Sequence, residues 1–203
     1  MQRTQFKHPS TRRCVMKGVR LIGLLAVGFM LFSCAGGPPK DTGESPCPEW
    51  FSNPPQDPDF LYATATATSR DVQLALNKAK TEARAELASQ LEVRLQGLRK
   101  KFDEEVGLGE DAELLSMYSQ ATKEVISQVL VGTRVAKQYT KREGMVWRAC
   151  VLMELPIGAA NKALVDRIKA NERMYTRFRA SQTFQELEKE VEKFEEYKKQ
   201  QGM

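Results

Sequence analysis

The chain has 203 residues and a formal charge of +5, from 31 basic and 26 acidic side chains. Six of the basic residues lie in 1–33, where there is no acidic one, so the remainder holds 25 basic against 26 acidic and lacks the clustered positive excess of a nucleic-acid footprint. The single histidine, His8, lies in the same leader, so the rest of the chain has no histidine base, Ser-His or Cys-His pair, or histidine metal ligand.

The stretch Leu21–Phe32 is apolar throughout and follows a basic region from Arg12 to Arg20. Twelve apolar residues are too few to cross a bilayer core, which takes about 20. A basic region, a short apolar region and a small residue make residues 1–33 a secretory signal peptide. The junction Leu31-Phe32-Ser33-Cys34 resembles the bacterial lipobox. That resemblance implies cleavage before Cys34, lipidation of its thiol and acylation, as with palmitate, of its amine. The alternative is an uncleaved anchor, or an ordinary signal with an incidental cysteine. Met16-Lys17-Gly18 opens a complete signal of the same kind, so Met16 is a second candidate start. Ala35 stands where an aspartate would retain a lipoprotein at the inner membrane, so the expected location is the outer membrane, with the domain facing the periplasm or the cell surface.

Residues 34–59 read as the lipidated cysteine and a tether. Seven of the nine prolines fall between Pro38 and Pro58, with Gly36, Gly37 and Gly43 among them, a composition that resists helix and sheet. Trp50 and Phe51 are adjacent aromatics in this polar stretch. They either plug the edge of the domain or contact a partner.

Residues 60–156 read as an α+β core. Phe60 to Thr68 alternates, with Leu61, Ala63, Ala65 and Ala67 on one side and Tyr62, Thr64, Thr66 and Thr68 on the other, which predicts a strand. Ser69 or Asp71 caps a helix to about Val106. Its stripe of Leu76, Ala79, Ala83, Leu87, Leu91, Leu95, Leu98 and Phe102 recurs every three or four residues. The two alanines let the helix approach the alanine face of the strand. Gly107-Leu108-Gly109 breaks it. A second helix follows over about Asp111 to Gln128, then a hairpin: a strand over Leu130–Thr140, a turn over Lys141–Gly144 and a strand over Met145–Leu155. On the last strand Met145, Trp147, Ala149, Val151 and Met153 form the apolar face, and Cys150 lies on the more polar one. Residues 157–203 read as one long C-terminal helix, running to about Lys199 with an irregularity near Ala180-Ser181. Phe184, Leu187, Val191 and Phe194 make a thin apolar seam on it, suited to a partner contact, a coiled-coil pair or a helix lying on the domain.

Pairs of Cys or His at zinc-site spacing are missing. The acidic run Asp103–Asp111 lacks the alternating ligands of a calcium loop. No glycine-rich phosphate loop follows a strand. The reading is therefore no catalytic residue, no metal and no cofactor. Cys47 and Cys150 can form a disulfide in an oxidising periplasm, or Cys150 is a small buried hydrophobe and Cys47 is free.

Pro48-Glu49-Trp50, then Tyr62-Ala63-Thr64-Ala65, then Ala79 and the run Glu82-Ala83-Arg84-Ala85-Glu86-Leu87-Ala88 resemble the Lpp-twenty lipoprotein family, outer-membrane lipoproteins that include the flagellar FlgP-like proteins. The resemblance covers about Pro48 to Leu155. It implies a small curved antiparallel sheet of about three strands packed against a long helix, and no enzyme activity. The expected function is an outer-membrane lipoprotein with a structural or assembly role in the cell envelope. Its expected partners are the membrane, through lipid on Cys34, and other envelope proteins or itself. The alternative is a monomeric periplasmic module that binds cell-wall or lipid fragments in the groove between sheet and helix.

Overall fold

The computed structural model describes residues 45–201. Cys34 and the rest of the leader lie outside them. In chain order the elements are α1 (Glu49–Ser52), β1 (Phe60–Ser69), α2 (Val72–Val106), α3 (Ala112–Val131), β2 (Arg134–Glu143), β3 (Val146–Pro156), α4 (Ile157–Ala170), α5 (Glu172–Phe178) and α6 (Gln182–Gln201), with one 3-10 turn at Leu108–Glu110. The three strands form an antiparallel sheet in the order β1-β3-β2. The protein is therefore α+β, with an open three-stranded sheet, a long helix and a C-terminal helix.

Helix α2 is laid out as its periodicity predicts. Asp71 is the N-cap, its side chain accepting from Leu74 N at 2.7 Å. Gly107 closes the helix with φ of 64°, the left-handed conformation that a C-terminal cap asks of glycine. Ala75, Ala79 and Ala83 are fully buried beside Ala63 and Ala149. Without longer side chains between them, the helix axis sits close on β1 and β3. The bulkier half, from Leu87 to Phe102, continues past the sheet into a second layer made by α3, α4, α5 and α6. There Phe102 stacks on Phe178 at 4.5 Å, with Tyr118 edge-on to Phe178 at 6.0 Å.

The hairpin is shifted from its expected position. Helix α3 runs on to Val131 because Val129 still faces the core, so β2 starts at Arg134, not Leu130. Strand pairing then continues through Glu143, and the turn is Gly144-Met145. Met145 is consequently 81% exposed and not part of the core face. Strand β3 is central, so Cys150 and Leu152 on its second face are as buried as Ala149, Val151 and Met153 on the first. The expectation of a more polar face at Cys150 fails for that reason.

The expected single helix from residue 158 to 199 is three helices. Asn171 stops α4 and caps α5, its side chain accepting from Met174 N at 3.0 Å. Ser181 does the same for α6, its hydroxyl accepting from Phe184 N at 3.2 Å. Glu105, at the end of α2, accepts from Thr183 N at 3.1 Å and from the Thr183 hydroxyl. Partial burial opposes ionisation of this carboxyl, but the hydrogen bonds from Thr183 and Gln182 outweigh it and hold the group below its ordinary value. A carboxylate at the α6 N-terminus also complements the helix dipole.

Helices α4 and α6 meet closely at Gly158. A Cβ at this position would lie 2.3 Å from Cγ of Phe194 and 2.6 Å from its Cβ. Rotating the ring cannot relieve a clash that reaches the Phe194 Cβ. Gly158→Ala is expected to destabilise the domain by about 1–3 kcal/mol, the cost of overpacking. Denaturant titration of G158A alone and in a Phe194→Gly background, which removes the Phe194 Cβ with the ring, measures it. A penalty that persists undiminished without the ring would contradict this account.

Candidate functional site

Period-two alternation gives the sheet two unlike faces. The residues paired with Ala149, Val151 and Met153 lie under α2. The opposite face carries Thr64, Thr66 and Thr68 on β1 and Arg148, Cys150 and Leu152 on β3. On β2 the same face carries Lys137, Tyr139 and Lys141, directly across from Leu152, Cys150 and Arg148. A bulge between Val135 and Lys137 restores the phase, so that Arg134 also faces Glu154.

Cys47 is joined to Cys150 in a disulfide at the centre of this second face, with Cα atoms 5.9 Å apart. Both cysteines are buried. The packed domain thus begins at Cys47, inside the segment read as tether. Helix α1 lies against β3 directly after it, with Trp50 and Phe51 half-buried and their rings edge-on at 6.4 Å. Arg148 Nε donates to Glu143 at 2.8 Å and holds that carboxyl below its ordinary value, and Arg134 pairs with Glu154. Lys137 and Lys141 are exposed, and no acidic side chain among the described residues is within ion-pairing distance of either.

A second feature lies at the end of the sheet. A groove of about 510 Å³ opens between residues 57–60, the start of α4 and the outer part of α6. Phe60, Phe194 and Tyr197 supply apolar wall, and Arg94, Asn161 and Glu190 the polar part. Asn161 is 1% exposed, and its Nδ2 donates to Glu190 Oε2 at 2.5 Å. Arg94 Nη2 is 3.5 Å from the same oxygen. Asn161 Oδ1 and Arg94 Nε have no partner among the described residues. Such a trio can hydrogen-bond a polar group. No cluster of His, Cys, Asp and Glu suited to a metal occurs among the described residues. None of the described helices is long and apolar enough to cross a membrane.

The residues expected to contact a partner divide. Phe184 and Leu187 are 1% and 2% exposed and belong to the core of their own chain, so they are corrected from partner contacts to packing residues. Their seam faces α4 and α2, which cover it before any second chain could. Val191 packs against the same core, and Phe194 lies over Gly158. Trp50 and Phe51 stay partly accessible. Sequence reasoning passed over Arg94, Asn161 and Glu190, which come from three helices. The one local signal was a polar Asn161 on the apolar stripe of Ile157, Ala160, Leu164 and Ile168.

A family model described as LPP20 lipoprotein matches residues 48–152. These residues run from the position before α1, through α2 and α3, into β3, and so include α1 and most of the second sheet face, but not Cys47. No curated protein matches the sequence at a significant level. With more than half of its length matched, the chain belongs to the LPP20 lipoprotein family.

Proposed function

We propose that this envelope lipoprotein is held at the outer membrane by lipid on Cys34 and has a structural or assembly role, through contacts with other envelope proteins or with itself. The observation that carries the reading is the covalent join of Cys47 to the central strand of the sheet. A pull on the anchor enters the domain at residue 47 and passes straight into β3, which is hydrogen-bonded on both sides. Load is therefore spread over the whole sheet and does not peel α1 away.

The test is palmitate-analogue labelling of the wild type and Cys34→Ser, with separation of inner and outer membranes by density. The wild type is expected to be labelled and to band with the outer membrane, and the variant to be unlabelled and released. Retention of the variant in the membrane fraction counts against the anchor. A wild type banding with the inner membrane counts against the location. In-cell cross-linking should then give discrete adducts.

The groove of Arg94, Asn161 and Glu190 favours a second reading, a periplasmic module that binds cell-wall or lipid fragments. Its polar atoms are buried next to aromatic walls, the usual make-up of a small-ligand site. A thermal shift with muropeptides would support it, and no shift with any fragment would count against it.

A further inference from the structure

The disulfide fixes the point at which the tether joins the folded domain. Twelve residues lie between Cys34 and Cys47, and the thirteen steps from one cysteine to the other span at most about 45 Å. It joins the domain at the middle of the face that α2 does not cover. On this face β2 exposes Lys137 and Lys141, with Tyr139 between them at 39% exposure and Trp50 half-buried nearby on α1. Strand β2 holds four basic residues against one acidic, whereas the helices α2–α6 are nearly balanced, with 17 basic against 16 acidic. The charge asymmetry thus runs in the same sense as the tether attachment. Lysines flanking amphipathic aromatics are the side chains that favour a lipid headgroup layer.

From this we infer that the sheet face of Lys137, Tyr139 and Lys141 docks on anionic phospholipid headgroups of the leaflet that holds the anchor. The inference rests on the anchor at Cys34. A juxtamembrane lysine gains about fivefold in association with an anionic surface, and the anchor makes this contact intramolecular, at an effective concentration in the millimolar range. The docked domain lies flat, with its helix layer turned away from the bilayer.

The test uses the lipidated chain, purified from membranes and reconstituted into two kinds of vesicle. One is phosphatidylethanolamine with phosphatidylglycerol, the other phosphatidylcholine alone. Flotation first reports whether the chain is anchored. Amine-labelling rates at individual lysines are then read by mass spectrometry. Lys137 and Lys141 are expected to label at least about threefold more slowly on the anionic vesicles, with protection lost at high salt. Lys78, Lys100 and Lys123, on α2 and α3, should label equally on both. In the exposed-site variant Lys137→Gln/Lys141→Gln, which leaves the core untouched, hydroxyl-radical footprinting should show Tyr139 more accessible on anionic vesicles than in the wild type. Equal rates at Lys137 and Lys141 on both vesicles, or protection that ignores lipid charge, would overturn the inference while leaving the anchor intact. Failure to float with either vesicle would remove the anchor, and the inference with it.

Discussion

Reduction of the Cys47–Cys150 disulfide is expected to lower the thermal midpoint of the domain by about 6–12 °C. The two cysteines are 103 residues apart. A cross-link closing a loop of that size withdraws conformations from the unfolded chain, worth about 3 kcal/mol in practice. For a domain of this size each kcal/mol moves the midpoint by about 2–4 °C. The native side adds to the loss, because Cys150 is fully buried on the central strand and Cys47 is buried against it. Once cut, residues 45–52 keep only the packing of a one-turn helix, too short to be stable alone. The measurement is a pair of melts with and without reductant, on the wild type and on Cys47→Ser/Cys150→Ala. The double variant should melt near the reduced wild type and ignore the reductant. Coincident oxidised and reduced melts of the wild type would show that the bond carries no stability.

What could be read from the sequence, and what could not, follows from the range of the forces involved. Strand β1 and helix α2 announce themselves, because an alanine–threonine alternation and a three-four stripe from Ala79 to Phe102 each repeat one local rule over several turns. Asp71 and Gly107 mark the helix ends through caps that act over three or four residues. The break at Asn171 is different. The stripe continues from Ile168 to Tyr175 as if nothing intervened, and the side-chain cap on Met174 decides the matter only once α5 has a core to face. The fate of Phe184 and Leu187 was equally hidden. An amphipathic seam specifies that it will be covered, not whether the cover is its own chain or another. Cys150 lay on a face made to look polar by Arg148 and Glu154, yet a central strand under α1 is closed on both sides whatever its neighbours are. The groove trio joins residues 94, 161 and 190, and no periodicity connects positions so far apart.

The C-terminal helices are part of the core rather than an appendage, and Phe178→Ala should show this by destabilising the whole domain by about 3–5 kcal/mol. Phe178 is fully buried between Phe102 of α2 and Tyr118 of α3. Truncation removes a complete ring and the stacking beyond its area. The cavity cannot collapse easily, because its walls belong to three separate helices. Tyr118 adds a constraint: its hydroxyl donates to Leu95 O at 3.4 Å, and burial pushes its pKa far above the ordinary tyrosine value. Movement of the Tyr118 ring into the gap would strain that contact. Denaturant unfolding of Phe178→Ala should remain a single transition at a lower midpoint, since α2 runs through both layers and couples them. Phe178→Leu, which keeps most of the volume, should lose clearly less. An independent tail would give the opposite result: an early transition for residues after Ile157, followed by a main transition at the wild-type midpoint. The packing of Phe178 on Phe102 and Tyr118 favours the single transition.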